Sequence, residues 1–197
     1  MRADCTRTTV LMVASFPDSI LSFRGALVDA WLASGRDVCV AAPGLDAGSP
    51  VARELLRRGA RVASIDMHRT GRNPLADLAT MLQLYRLMRA IRPEFLLAYT
   101  AKPVVYGLLA GWLAGIPHRY ALITGLGYAF QAEGNARRGL RGVLQRLYGL
   151  ALGKAEKVLF QNGDDRSLFL RLGVVDPDAA TAVVDGSGID VDAYRPM

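Results

Sequence analysis

The chain has 197 residues, of which 51% are apolar and 21% charged, a composition that excludes disordered and fibrous proteins and predicts a substantial buried core. Its net charge of +6 favours polyanions or anionic membrane surfaces as partners. No C-x-x-C pair, RNP-like aromatic run or helix-turn-helix spacing accompanies that charge, so we do not expect nucleic acid as a partner.

The cysteines and the amino terminus predict a cytoplasmic protein. Cys5 lies in a polar leader and Cys39 in an apolar strand, so no disulfide framework is implied. Residues 9–16 are apolar, but the run is short and lacks the small-x-small cleavage site of a signal peptide. The longest near-apolar stretch, residues 103–117, is shorter than the ~20 residues that a membrane-spanning helix needs.

Short apolar or β-branched runs alternate with longer helical patterns along the chain. In chain order, we predict strands over 8–14, 37–42, 61–66, 95–99, 119–124, 157–161 and 182–185, and helices over 22–34, 50–58, 74–91, 103–115, 136–153 and 164–172. This alternation indicates parallel strands with right-handed crossovers. The expected fold is therefore a three-layer, doubly wound, Rossmann-like α/β domain with a mostly parallel sheet of about six or seven strands.

The last residues of the sequence are typical of a joint between two domains. A strand-like segment runs into Gly186, Ser187 and Gly188, and then into a polar stretch that contains Asp190 and ends in Arg-Pro. We therefore predict one domain over residues 1–185 and a hinge or linker over residues 186–197.

Two cations occupy unfavourable places at predicted helix starts. Arg24 is expected in the first turn of a helix that begins near Ser22, and Lys102 is expected at the N-cap before Pro103. A cation there opposes the helix dipole by roughly 0.3–1 kcal/mol unless an anion lies between them. Because both follow strands that flank the expected strand-order reversal, they predict a phosphate or diphosphate cradle. The alternative is that both side chains point to solvent.

Two further segments are candidates for substrate binding. One is the glycine-rich loop after the fifth strand, whose glycines would let the backbone approach a ligand and whose aromatic residue could stack on a sugar: Thr124, Gly125, Leu126, Gly127 and Tyr128. An ordinary loop folded back on the core is the alternative. The other is Asn162, which precedes two acids that are either helix-capping groups or ligands.

Several catalytic and cofactor signatures are missing. The sequence contains neither a Gly-x-Gly-x-x-Gly fingerprint nor a Gly-x-x-x-x-Gly-Lys-Ser/Thr loop, and no Ser-His-Asp triad can be assembled from it. The Asp190-Val191-Asp192 pattern is interpreted as a chance match to a metal signature. We therefore expect neither a cofactor nor a bound metal, and no catalytic residue is assigned.

The helix predicted over 136–153 is basic and amphipathic. Four arginines and a following lysine alternate with apolar residues: Arg137, Arg138, Arg141, Arg146 and Lys154. Such a helix either lies on an anionic membrane leaflet or packs on the core with a solvated basic face.

Five segments in this order resemble the N-terminal domain of family 4 GT-B glycosyltransferases, in the branch that builds capsule, O-antigen (lipopolysaccharide) and lipid-linked oligosaccharides. They are Ser22-Phe23-Arg24, Tyr99-Thr100-Ala101-Lys102-Pro103, Thr124 to Phe130, Phe160 to Asp165 and Gly186 to Asp190. The resemblance implies retaining transfer of a sugar from a nucleotide sugar, usually a UDP-sugar, to a lipid-linked saccharide on the inner face of the cytoplasmic membrane.

The resemblance also assigns roles to residues. The N-terminal domain of that family mostly holds the acceptor, so Arg24 and Lys102 would face acceptor or donor phosphates, Gly125 to Tyr128 the acceptor cleft, and Gly186 to Asp190 the hinge. The donor-binding C-terminal domain is absent from this sequence, so we expect the chain alone to be inactive. Two alternatives remain open: a non-catalytic module that recruits a separate donor-domain polypeptide to the membrane, and a nucleotide-sugar epimerase-type domain.

Overall fold

The computed structural model describes residues 8–46, 48–67, 73–125 and 135–188, with side chains in the last range from residue 142 onward. The elements in chain order are β1 Thr9–Val13, α1 Asp18–Ala33, β2 Asp37–Ala42, α2 Pro50–Arg58, β3 Arg61–Ser64, α3 Pro74–Ile91, β4 Phe95–Tyr99, a π-helical segment Pro103–Gly107, α4 Leu108–Leu113, β5 His118–Ile123, α5 Asn135–Leu152, β6 Lys157–Phe160, α6 Gly163–Arg171 and β7 Thr181–Val183.

All seven described strands form one parallel sheet in the order β3-β2-β1-β4-β5-β6-β7. β1 lies near the middle, where Val10 pairs with Val38 of β2 on one side and with Phe95 of β4 on the other. Strands buried on both faces need apolar side chains at every position, which is why the central strands are continuous apolar runs in the sequence. The predicted doubly wound Rossmann-like α/β fold is confirmed.

Helices cover both faces of the sheet. On one face, Met12 of β1 packs in a cluster with Ile20 and Val28 of α1. The same cluster includes Val40 of β2 and the buried residues of α2. On the other face, Leu11 packs with Leu84 of α3 and Ala110 of α4. The second face continues under α5 and α6, where Phe160 of β6 contacts the ring of Phe169 edge-on.

Helix α1 begins at Asp18, one turn before the predicted start near Ser22. The amide of Ile20 already donates to the carbonyl of Pro17 at 2.9 Å, and the Ile20 side chain is fully buried. Asp18 in the first turn also favours an early start because its carboxylate complements the positive end of the helix. The prediction of the start near Ser22 was therefore wrong.

The helix predicted over 103–115 is divided into the π-helical segment Pro103–Gly107 and the short helix α4. A Cβ added at Gly107 would lie 3.4 Å from the Cβ of Ala98, so the widened turn packs on β4 at ordinary van der Waals distance. The edge strands β3 and β7 are also shorter than predicted, since each has a single neighbour and pairs only along the length that this neighbour offers.

Candidate functional site

The strand order reverses between β1 and β4. β1 leads through α1 to β2 on one side, whereas β4 leads through the π-helical segment and α4 to β5 on the other. The two connections separate at the carboxyl ends of the strands, and in doubly wound sheets the crevice at such a point is where ligands bind. The residues that follow β1 and β4 therefore define the candidate site.

Hydroxyl groups link the two strand ends. The hydroxyls of Ser15 and Thr100 lie 2.7 Å apart, and those of Ser19 and Tyr99 lie 3.1 Å apart. Ser19 donates to the carbonyl of Phe16 at 2.6 Å, so its proton is engaged and Tyr99 is the donor in the second pair. The site thus has a hydroxyl-bonded floor that joins β1, the start of α1 and β4.

Thr100 adopts a left-handed backbone conformation at this floor, with φ of +70°. A left-handed residue costs roughly 1–2 kcal/mol when it carries a Cβ, and such strain is concentrated at binding and catalytic sites. Here the strained turn directs the hydroxyl of Thr100 to Ser15 across the strand-order reversal.

Arg24 is buried beside this floor, with only 5% of its surface exposed. Its Nη1 donates to the carbonyl of Phe23 at 2.8 Å, and its Cζ lies 5.3 Å from the ring centroid of Tyr99. Within the described part of the chain, Nε has no hydrogen-bond partner and no acidic side chain forms an ion pair with the guanidinium. Burial lowers the pKa of Arg24 and raises that of Tyr99.

A buried guanidinium without a counter-charge is costly, because buried charges are ordinarily paired or fully hydrogen-bonded. A bound anion would supply the missing partner to Nε. The prediction that Arg24 opposes the dipole in a first helical turn was nevertheless wrong, since α1 begins at Asp18 and Arg24 lies in its second turn. Burial, not the helix dipole, makes Arg24 a candidate for anion binding.

Lys102 has a partner within the domain. Its Nζ donates to Oδ1 of Asp77 at 2.6 Å, and the two side chains are 16% and 18% exposed. The carboxylate also faces Tyr106, and burial together with this contact raises the pKa of that phenol. Lys102 has helical backbone angles and is not an extended N-cap residue. Its charge is compensated by Asp77, so the argument from an uncompensated cation does not apply to it.

The structure places the two predicted cations on different faces of the sheet. Arg24 stacks on Tyr99 in the cluster formed with α1 and α2, whereas Lys102 is paired with α3 on the other face. Both belong to the segments that follow the carboxyl ends of β1 and β4. A common anion between them stays a prediction.

The glycine-rich loop is described only at its start. Thr124 and Gly125 follow β5 and are exposed, and Gly125 has φ of +148°, a conformation that favours glycine. Leu126, Gly127 and Tyr128 lie outside the described residues. Their proposed contact with a substrate stays a prediction.

Asn162 is the N-cap of α6. Its Oδ1 accepts from the amide of Asp165 at 2.7 Å, and its Nδ2 donates to the carboxylate of Asp165 at 3.0 Å. Asn162 itself is therefore the capping residue, whereas the sequence offered that role, or a ligand role, to the two acids that follow it. A ligand role for Asn162 is untested.

The predicted hinge begins directly after β7. Gly186 and Gly188 both have left-handed backbones, with φ of +69° and +71°, and Ser187 accepts a hydrogen bond from Gln161 at 2.9 Å. Asp190 lies outside the described residues, and the hinge function and the boundary at residue 185 stay predictions.

The model of the glycosyl transferase 4-like domain matches residues 23–185, which is most of the chain. The chain belongs to this family. The match thus extends from within α1 to just beyond β7 and includes Arg24, the carboxyl end of β4 and Lys102, whereas β1, Ser15 and Ser19 precede it.

Comparison with known proteins supports the same assignment. Over 179 residues the chain is 26% identical to an N,N'-diacetylbacillosaminyl-diphospho-undecaprenol alpha-1,3-N-acetylgalactosaminyltransferase of Campylobacter jejuni. This match covers 91% of the chain but 46% of the relative, so the chain spans about half the length of that protein.

Solved structures share the fold. A glycosyltransferase from Rickettsia africae superposes with a TM-score of 0.64 and 17% identity, covering 95% of this chain and 45% of that one. Sucrose-phosphate synthase from Thermosynechococcus elongatus superposes with a TM-score of 0.66 and 12% identity, covering 97% and 51% respectively. At these identities the likeness shows the fold alone, which is that of one lobe of a GT-B glycosyltransferase.

Sequence reasoning missed five residues that shape the site: Ser15, Ser19, Asp77, Tyr99 and Thr100. A usable signal existed for four of them, because polar residues at the carboxyl ends of β1 and β4 must meet once the strand order is known. Asp77 gave no such signal. Among the described residues, no cluster of three or more His, Cys, Asp or Glu side chains could hold a metal.

Proposed function

We propose that this chain is the acceptor-binding half of a retaining glycosyltransferase. It holds a lipid-linked saccharide while a sugar is transferred from a nucleotide sugar, for which we propose a UDP-sugar bound mainly by a second domain. The reaction serves surface polysaccharide biosynthesis, either capsule or lipopolysaccharide, and proceeds without a bound metal or cofactor. Residues 186–197 act as the hinge between the two lobes.

The observation that carries this proposal is the buried guanidinium of Arg24 at the strand-order reversal, which no acid in the described ranges compensates. A diphosphate offers charge and several acceptor oxygens to such a group, and bonds of this kind are stronger than those between neutral partners. The Campylobacter relative, by its name, uses a diphospho-undecaprenol-linked substrate. An acceptor diphosphate therefore matches both the chemistry of the site and the relative.

We further propose that the chain works on the inner face of the cytoplasmic membrane as a peripheral protein. None of the helices in the described ranges is long and apolar enough to cross a bilayer. The sequence of α5 contains four arginines and no acid, which favours contact with an anionic leaflet.

The test is the kinetics of Arg24→Gln in the full-length enzyme, measured with a diphosphate-linked acceptor and with the same saccharide lacking phosphate. A hydrogen bond to a charged group contributes about 1.5–3 kcal/mol, so kcat/KM for the diphosphate acceptor should fall roughly 10- to 150-fold. The phosphate-free acceptor and the KM of the donor should be unaffected.

Arg36→Gln is the matched control. The guanidinium of Arg36 also stacks on an aromatic ring, with its Cζ 5.9 Å from the ring centroid of Phe95. This contact lies at the amino end of β4, the edge of the sheet opposite to Arg24. It should retain wild-type kinetics. Equal losses on both acceptors, or no loss on either, would show that Arg24 does not bind the diphosphate.

A further inference from the structure

Exposed apolar side chains are concentrated on the helical layer formed by α3, α4 and α5. Of the twelve large hydrophobic residues that are exposed in the described part of the chain, seven belong to these helices, and each is between 43% and 78% exposed. Scattered exposed leucines are normal on soluble proteins, but a concentration on adjacent helices marks an interaction surface. The seven are Leu75, Leu78, Leu82, Trp112, Leu113, Val143 and Leu150.

Helical spacing aligns these residues on outward faces. Leu75, Leu78 and Leu82 follow the i, i+3, i+7 pattern on α3, and Val143 and Leu150 are seven residues apart on α5. α4 packs against both helices, so it joins the two stripes into one layer. We call this set of seven side chains the apolar layer surface.

The charges of the three helices are almost all positive. Their sequences contain six arginines and a single acid, Asp77, which is paired with Lys102. Arg86, Arg89 and Arg146 are exposed, and helical spacing places Arg86 next to Leu82 and Arg146 next to Val143. In contrast, α1 and α2 on the other face contain three acids. The apolar layer surface is therefore combined with positive charge, whereas the opposite helical layer is mixed.

Trp112 lies at the end of α4 with its ring 4.4 Å from Nζ of Lys154, the residue that follows α5 by two positions. Tryptophan and lysine both have an apolar body and a polar end, and both are enriched where hydrocarbon meets lipid headgroups. Leu113 beside them is exposed as well. This corner has the composition of a membrane interface.

We propose that the apolar layer surface docks onto an anionic phospholipid leaflet, with its leucines and Trp112 in the headgroup region and Arg86 and Arg146 on lipid phosphates. This inference rests on the membrane part of the proposed function and replaces a single basic helix with a three-helix surface. Apolar side chains interleaved with cations fit an anionic leaflet, because the leaflet offers hydrocarbon and negative charge together.

The docking geometry also agrees with the position of the candidate site. α3, α4 and α5 each run from the carboxyl edge of the sheet back to its amino edge, so the layer surface extends up to the edge that carries the crevice. Leu75, at the start of α3, lies at that edge. A diphosphate at headgroup level would then be beside the strand-order reversal.

The test is co-sedimentation of the 197-residue chain with vesicles of phosphatidylcholine alone and of phosphatidylcholine mixed with phosphatidylglycerol. The wild type should partition onto the anionic vesicles at least about tenfold more strongly, and raised salt should weaken the binding. The Leu113→Gln/Leu150→Gln double variant should bind about tenfold less, since it removes apolar groups that would enter the interface. Both leucines are exposed, so the melting temperature should be unchanged.

Matched controls come from the other helical layer. Leu56→Gln alters an exposed leucine of α2 and is the control for the leucine double variant. Arg53→Glu reverses an exposed charge of α2 and is the control for Arg146→Glu, which reverses an exposed charge of α5. Wild-type binding by both α2 variants, with weak binding by Arg146→Glu, supports the proposal. Equal losses in both layers, or wild-type binding by the Leu113→Gln/Leu150→Gln variant, overturn it.

Two further outcomes separate this inference from the transfer reaction. A chain that binds no vesicle but self-associates in sedimentation velocity, and becomes monomeric with Leu113→Gln/Leu150→Gln, would assign the surface to a second copy. Failure to bind vesicles with full transfer to a soluble diphosphate acceptor would overturn the docking surface and leave the proposed function intact. Vesicle binding without any sugar transfer by the full-length enzyme would support the docking surface and overturn the proposed function.

Discussion

Replacing Arg24 by methionine should make the ligand-free chain about as stable as the wild type or more stable, although the same change removes anion binding. Methionine has a similar length and can occupy the same buried position without a charge. The replacement removes a guanidinium whose Nε has no partner among the described residues. The prediction therefore separates a residue kept for binding from one kept for folding.

The magnitude follows from the contacts of Arg24. Replacing buried charges by apolar side chains is neutral or stabilising by about 1–4 kcal/mol. Two contacts are lost with the guanidinium. The hydrogen bond to the carbonyl of Phe23 contributes about 1 kcal/mol. The stacking on Tyr99 contributes about 0.5–1 kcal/mol. The net change lies between about −1 and +2.5 kcal/mol, equivalent to a Tm between about 4 °C below and 10 °C above that of the wild type for a domain of this size.

The assay is thermal unfolding of the wild type and Arg24→Met, each with and without inorganic pyrophosphate. At ten times its Kd, a ligand stabilises the folded state by roughly 1.4 kcal/mol, so pyrophosphate should raise the wild-type Tm by about 3–6 °C. The variant should not respond. Sodium chloride at matched ionic strength controls for non-specific salt effects.

A clear loss of stability would refute the reasoning. If Arg24→Met lowers Tm by clearly more than about 4 °C in the absence of ligand, the guanidinium is satisfied within the protein and has a structural role. A pyrophosphate response that persists in the variant would place the anion elsewhere.

Three other predictions concern packing, the ion pair and the isolated chain. Gly111→Ala should lower the free energy of unfolding by about 1–3 kcal/mol, because its Cβ would lie 2.6 Å from Cδ2 of Leu96. Gly142→Ala in α5 has open space around the new Cβ and should raise the free energy of unfolding by about 0.5–1 kcal/mol. Urea unfolding measures both, and equal effects would contradict the close contact at Gly111. Asp77→Asn should lower the free energy of unfolding by about 1–3 kcal/mol, because it leaves Lys102 without its partner. Adding Lys102→Met should restore most of the lost stability in a double-mutant cycle. Additive losses would show that the two residues are not coupled. The 197-residue chain should unfold cooperatively, yet show no sugar transfer and only feeble binding of UDP-sugars in calorimetry, since aligning both substrates in a two-lobed cleft supplies up to ~7–11 kcal/mol; turnover by this chain would show that the lobes are assigned wrongly.

The sheet was predictable because its strands are buried on both faces. Leu11, Met12 and Val13 are all fully buried, and such strands appear in the sequence as short continuous apolar runs separated by longer helical patterns. Helix starts marked by a capping residue and a proline were equally clear: Ser49 before Pro50 and Asn73 before Pro74 cap α2 and α3. Both signals are local.

The candidate site was less predictable because its decisive contacts join distant residues. Lys102 is compensated by Asp77, 25 residues earlier, and no spacing in the sequence indicates that pair. Arg24 was predicted as a site residue because it was placed in the first turn of a helix, but α1 begins at Asp18 and Arg24 lies in the second turn. The feature that distinguishes Arg24 is its burial against Tyr99, which depends on the packing of α1 over β4. Partners of this kind emerge only when strand order and helix position are both known.

The pairing of β1 with β4 has a consequence for how the chain folds during its synthesis. Val10 pairs with Phe95, so one edge of the central strand remains unpaired until residues 95–98 have been made. β2 can pair with β1 much earlier, which leaves a partial sheet with an exposed apolar edge in the meantime. Pairings this distant in sequence form slowly and expose the nascent chain to aggregation. The same reversal that opens the crevice thus makes the first half of this protein dependent on timely translation of the second, and a chain arrested before β4 should be a substrate for chaperones.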